Sequence, residues 1–252
     1  MATGMEGIAD FFRWLNDAHG VNLSIFYDAL DRSRFLEGLW TTIELSIICI
    51  LLSLAIGILG AWFQGSRFGP VRRIVQAYIQ FFRNTPPLVQ LFFFYFAVGN
   101  QLPHVLDEHG MLVPPISNVG WAILSLSLFA GAFNVEIFRA GIEAVPRAMV
   151  EAAESLGYSR LGVFWHVLLP LAFRVSLPAL NNNLVNLVKT TTLAYAIAVP
   201  ELLYAAAQIW SEVLNVREMM NVLLVTYVAL IAVLVALMGR WERALHIPGY
   251  NP

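Results

Sequence analysis

The sequence holds one cysteine and one lysine in 252 residues, and each scarcity narrows what the chain can be. A single thiol, Cys49, excludes an internal disulfide and a cysteine metal cluster and leaves the redox compartment open. The five histidines (His19, His104, His109, His166, His246) show no paired ligand spacing, and no His-Glu-x-x-His occurs, so a metal site is not expected. There is no Gly-x-x-x-x-Gly-Lys-Ser/Thr loop to cradle a nucleotide phosphate and no Gly-x-Ser-x-Gly elbow. Ser46, Ser53, Ser125 and Ser127 read as small helix-packing residues rather than nucleophiles. A net charge of -2 gives no basic attraction to nucleic acid. The first residues carry Glu6 and Asp10 where a secretory signal needs a basic region, which predicts a mature rather than a cleavable amino end.

Charge itself is scarce, at 13% of residues, while 58% are hydrophobic and mean hydropathy is +0.67. Soluble domains run near about 25% and about 45–50%. The apolar residues come in blocks, not in the alternation of a membrane barrel strand, so the expectation is an all-α integral membrane protein. Leu45 to Phe63 contains no charge over its whole length, close to the ~20 residues that cross a hydrocarbon core of ~30 Å as a helix. Five transmembrane helices are expected, at about 40–64, 70–99, 119–138, 175–199 and 219–240, within a single membrane domain over 36–247. Residues 1–35 mix Phe11, Phe12, Trp14, Leu15 and Phe26 with acids and arginines, as an amphipathic segment on the outer membrane surface would. Residues 248–252 are expected to form a short cytoplasmic tail.

Arginine placement orients the bundle. One side carries Arg67, Arg72, Arg73, Arg139, Arg147, Arg160, Arg174, Arg240 and Arg243; the other carries Arg13, Arg32, Arg34 and Arg217. The amino end is therefore expected outside and the carboxyl end in the cytoplasm, with Arg32 and Arg34 running against the trend. The longest cytoplasmic connection, 139–174, is not a floppy loop. Good helix formers run from Ala148 to Leu156, Gly157 stands where a helix ends, and an apolar-periodic stretch from Leu161 to Leu169 is expected to stop at Pro170.

Charge at mid-membrane is the strongest functional signal, because even lenient insertion scales assign about +2.5–3.5 kcal/mol to one such residue. Arg83 lies some 20 Å along a helix from Pro70, and Pro86 and Pro87 break that span directly after it. Asn84 and Thr85 add polar groups at the break. Lys189, the only lysine, stands in the fourth span beside Asn186, Thr190, Thr191 and Thr192. Two interrupted spans with cations and hydroxyls at mid-depth point to a small-molecule path. The alternative is that Arg83 and Lys189 pair with Glu136, Glu201 or helix carbonyls and only lock the bundle.

EAAESLGYSRLGVFWHVLLP, Glu151 to Pro170, resembles the Glu-Ala-Ala, three residues, Gly, nine residues, Ile-x-Leu-Pro loop of permease subunits in ATP-binding-cassette importers, with Val167 in place of the isoleucine. VEIFRAGIEAVPR, FRNTPPLVQLFF and NLVKTTTLA are similar to the polar amino-acid uptake branch, and the likeness covers most of 36–247. Asn84 and Pro87 depart from that branch's Arg-Gly-Thr-Pro-Leu-Leu, and Thr190 replaces the acid that usually follows the lysine. The resemblance implies a type I importer permease fold in the bacterial inner membrane, with Glu151, Ala152, Ala153, Leu156 and Gly157 in a coupling helix. It implies a dimer of ATPase subunits that hold ATP and Mg, a second permease, alike or unlike, and a periplasmic amino-acid-binding protein. This chain itself would carry no cofactor and perform alternating access rather than catalysis. A threonine after Lys189 leaves the ammonium free for a substrate carboxylate, which, with a likeness to glutamate and aspartate permeases, gives those amino acids as the expected cargo. General L-amino acids or opines are the alternative cargo, and an ion-coupled transporter or channel the alternative mechanism.

Overall fold

The computed structural model describes residues 2–106 and 108–245; the tail expected over 248–252 lies outside them. The amino-terminal helix α1 (Ala2–His19) exposes Ile8, Phe11 and Trp14, and Phe12 stacks on Phe26 with ring centroids 4.3 Å apart. Helix α2 (Ala29–Gln64) opens where Asp28 accepts from the Leu30 and Asp31 amides at 2.8 and 2.9 Å, satisfying two of the donors that a helix start leaves free. With no proline in its length, α2 runs unbroken through the first span and well beyond the polar side of it.

The second span is broken, as two adjacent prolines demand. Helix α3 (Gly69–Asn84) stops at Thr85, whose backbone is extended, and α4 (Pro87–Phe92) restarts with proline in its first turn, where a missing N–H costs nothing. A π-turn over Phe93–Val98 and a 3-10 turn over Gly99–Gln101 complete the crossing. Val98 and Leu102 pack with Ile116, Val119 and Trp121 at the start of α5 (Asn118–Glu143). Between them two short strands of two residues each, β1 (Val105–Leu106) and β2 (Leu112–Val113), pair antiparallel, an element not expected from the sequence.

Beyond α5, helix α6 (Arg147–Ser155) ends at Gly157, with φ +86. The Gly157 amide donates to the Glu154 carbonyl at 2.9 Å and the Tyr158 amide to that of Ala153 at 3.2 Å, closing the helix in a left-handed cap. Helix α7 (Arg160–Val163) passes through a π-turn, Phe164–Leu168, into α8 (Leu169–Thr190). The expected stop at Pro170 does not occur. The π-turn re-pairs the backbone just before the proline, so Pro170 falls in the first turn of α8 and breaks nothing. The last turns tighten to a 3-10 helix, Thr191–Ile197, ending at Ala198 with φ +57. Helix α9 (Leu202–Val213), in the connection between the expected fourth and fifth spans, is capped by Glu201, which accepts from the Leu203 and Tyr204 amides. The last span is α10 (Val216–Leu245).

Four segments are thus long and apolar enough to cross a membrane uninterrupted, Ala29–Gln64, Asn118–Glu143, Arg160–Ile197 and Val216–Ala244; the expected second span is instead divided between α3 and α4, each too short to cross alone. Lipid tails are as apolar as leucine, so close packing and buried polar contacts must hold the spans together. A Cβ on Gly57 of α2 would lie 2.5 Å from the Asn134 Cβ of α5, so the two backbones touch there. At the same level Asn183 of α8 donates to Asn134 Oδ1 at 2.8 Å, and Asn134 donates to Ser53 Oγ of α2 at 3.2 Å. Ser46, Ser53, Ser125 and Ser127 are all buried, as packing residues should be. Contacts also sort the connections into two faces. Arg160 donates to the Gly65 carbonyl at one end; at the other, Asn118 donates to Ala198 at 2.6 Å and Arg34 pairs with Glu212 at 2.6 Å.

Candidate translocation site

At the break, side chains from both sides of the prolines take up backbone carbonyls. Thr85 Oγ1 donates to the Phe81 carbonyl at 2.7 Å. Pro86 has no N–H to offer the Phe82 carbonyl, and the Gln90 side chain takes its place: Nε2 donates to that carbonyl at 2.8 Å, to the Thr85 carbonyl at 3.0 Å and to Thr85 Oγ1 at 2.7 Å. Gln90 is only 2% exposed. It was not singled out in the sequence, and nothing in its spacing marks it. Asn84 is tied to Gln80 through Oε1 at 2.9 Å.

Arg83 leaves the break in the other direction. Its guanidinium lies 5.2 Å from the centroid of Phe133 and is bonded to the Glu136 carboxylate of α5. Glu136 in turn lines a polar cavity of about 460 Å³ with Gln64, Arg72, Gln76, Arg139 and Glu143. That cavity sits where α2 ends, α3 begins and α5 ends, the arginine-rich face of the bundle. Of the partners weighed for Arg83, Glu136 is therefore the one it meets.

Lys189 behaves differently. It is exposed, and its ammonium has no hydrogen bond or ion pair among the described residues. Glu201 does not reach it, being engaged by the α9 amides and by the Tyr227 hydroxyl at 3.1 Å. The neighbouring hydroxyls turn back on their own helix: Thr190 to Asn186 at 2.7 Å, Thr191 to Val188 at 2.7 Å and Thr192 to Lys189 at 2.8 Å, all to carbonyls. They satisfy the backbone where α8 narrows to a 3-10 helix, and Thr191 is fully buried. The two interrupted spans are neighbours, since Leu91 of α4 shares one apolar cluster with Leu187, Ala194 and Ile197. No bond joins Arg83 to Lys189 among the described residues.

The loop residues divide by face. Ala153 is buried against the bundle, whereas Glu151, Ala152, Leu156 and Gly157 are exposed, and Leu156 is 79% accessible. Met149, Tyr158, Leu161 and Trp165 are exposed around it, an apolar surface at the end of the molecule. A Cβ on Gly157 would meet nothing within 4 Å. Arg160 ties this loop to α2: it donates to the Gly65 carbonyl and lies 5.9 Å from the ring of Trp62, which packs on Phe164 at 4.5 Å.

Residues 53–246 match the family described as binding-protein-dependent transport system inner membrane component. The chain is 30% identical to the probable glutamine ABC transporter permease protein GlnM of Bacillus subtilis (strain 168), over 79% of this chain and 86% of that one. It is 30% identical to the octopine transport system permease protein OccM of Rhizobium radiobacter, over 83% and 85% of the two chains. Among solved structures, an amino acid ABC transporter crystallised with histidines matches at a TM-score of 0.71 and 27% identity, covering 84% of this chain and 94% of that one. The chain belongs to this family of inner-membrane components, and it is the permease subunit of an amino-acid importer of the ATP-binding-cassette class.

Proposed function

We propose that this permease carries acidic amino acids, glutamate and aspartate, into the cell, with its amino end outside and its carboxyl end in the cytoplasm. Lys189 carries the cargo reading. Arg83 is balanced by Glu136, but Lys189 is a cation without a partner among the described residues, and in a passage of low dielectric a cargo carboxylate is a favourable partner for it. An α-amino acid offers its carboxylate to Arg83 and its ammonium to Glu136, and an acidic side chain is then left for Lys189. Asn84, Thr85 and Thr190 to Thr192 hold the two interruptions open rather than grip cargo. A second reading has one observation in its favour: the Arg83–Glu136 pair alone matches a neutral zwitterion, such as the glutamine in the name of GlnM.

The exposed residues Glu151, Ala152, Leu156 and Gly157, on α6 and the turn that ends it, dock on a partner ATPase dimer that binds ATP and Mg, while this chain does no chemistry. A second permease completes the pathway, and a periplasmic amino-acid-binding protein delivers cargo at the opposite face. Movement of the docked helix reaches α2 through Arg160, Gly65 and Trp62, and the polar cavity beside Glu136 serves as the exit.

The test is ATP hydrolysis by the assembled complex with its binding protein and a panel of amino acids. Stimulation by glutamate and aspartate that Lys189→Ala abolishes is the expected result. Stimulation by glutamine alone, unchanged in Lys189→Ala, would replace this reading with the neutral one.

A further inference from the structure

We infer that the groove between the first turns of α2 and of α10 is a binding site for an anionic phospholipid of the leaflet on that side, with its phosphate held by Arg32 and Arg217. The groove has a volume of about 820 Å³ and is walled by Ile25, Phe26, Phe35, Leu36, Val222 and Val225, within the range of about 300–1,000 Å³ usual for small-molecule sites. Leu36 and Val225 are 54% and 67% accessible, so the walls open sideways toward lipid. From Arg217 to Val225 the helix descends about 12 Å at 1.5 Å per residue, nearly the half-thickness of a core of about 30 Å. The charged mouth therefore stands at headgroup level and the apolar walls at acyl level.

The charges at the mouth select the headgroup. This face carries few arginines: Arg13 is paired with Asp10 at 3.2 Å, Arg34 with Glu212 at 2.6 Å and Arg217 with Glu218 at 2.7 Å. Arg32 has no side-chain partner among the described residues. The groove's ionisable lining is Arg32, Arg217 and Glu218, which leaves one net positive charge. Asp28 and Asp31 share the first turn of α2 but do not line the groove; Asp28 caps the helix and Asp31 is buried. A phosphate completes the shell of Arg32 and explains a cation placed against the inside-positive trend.

The test is native mass spectrometry of the delipidated full complex, titrated in parallel with dioleoylphosphatidylglycerol and dioleoylphosphatidylcholine. The wild-type complex is expected to retain phosphatidylglycerol about fivefold more than phosphatidylcholine, the factor usual for one arginine at a membrane surface. Arg32→Gln should bring the ratio near one. Glu218→Gln, which releases Arg217 from its carboxylate, should raise it. Equal retention of both lipids by the wild type, an unchanged ratio in Arg32→Gln, or equal binding of glycerol phosphate without acyl chains would each overturn the assignment. So would crosslinks between two permease copies through Leu36 in a complex that retains no lipid.

Discussion

Arg83 and Glu136 form an ion pair across α3 and α5, with the guanidinium laid over Phe133 and the carboxylate facing the polar cavity. The pair stands directly before the proline break, so it can hold the bundle and meet cargo at once. Removing either charge is expected to cost on the order of 1 kcal/mol of stability for such a half-exposed pair. Transport should fall by about tenfold or more, the value of one lost charge-assisted hydrogen bond. The charge swap Arg83→Glu with Glu136→Arg distinguishes the two roles. It should restore thermal stability in detergent but not transport, and a swap that restores both would make the pair purely structural.

Gln90 supplies one amide to three acceptors at the break. Gln90→Leu keeps the volume and leaves those oxygens without their donor, so it is expected to destabilise the permease by about 1–3 kcal/mol. Thermal unfolding of the purified complex reads this directly, and a melting temperature equal to wild type would show that water can replace the amide.

Gly157 has open space around it and a left-handed backbone. In the free permease Gly157→Val should cost only about 1–2 kcal/mol of backbone strain. Any larger effect belongs to what docks there. Co-purification with the ATPase is expected to drop by at least about tenfold, which corresponds to about 1.4 kcal/mol, while the permease still folds. Undiminished ATPase binding would remove α6 from the docking surface.

Gly57 faces the opposite limit. A methyl group there would sit 2.5 Å from Asn134 Cβ, and neither helix can yield without disturbing the Asn183–Asn134–Ser53 bonds. Gly57→Ala is expected to lower stability by about 1–3 kcal/mol, the usual cost of overpacking. Wild-type yield and unfolding temperature in that variant would contradict the close approach of α2 and α5.

What was legible in the sequence was what depends on one residue's own chemistry. Pro86 and Pro87 lack N–H groups, so the break over 85–86 could be read directly, and Gly157 marked the end of α6 because its left-handed cap favours glycine. What was hidden depends on where side chains turn. Gln90 folds back eight residues to Phe82, and Glu136 comes from 53 residues away to meet Arg83; no linear pattern carries either pairing. The threonines after Lys189 could be read as groups that satisfy a loosened backbone, and their hydroxyls do bond nearby carbonyls, but which carbonyl each one takes is not written in the sequence. Pro170 was read as a stop because a π-turn ahead of it leaves no sequence mark. Helix α9 is 12 residues long, too short to register as a span.

The central claim is ATP-driven import through this permease, and uptake into proteoliposomes tests it most directly. The vesicles would hold this chain with its permease and ATPase partners, with the amino-acid-binding protein on the outer side and radiolabelled glutamate as cargo. The account predicts accumulation against a gradient only with ATP and Mg on the ATPase side and the binding protein opposite, lost in Gly157→Val. Accumulation without ATP, driven by an ion gradient and unaffected by Gly157→Val, would contradict it.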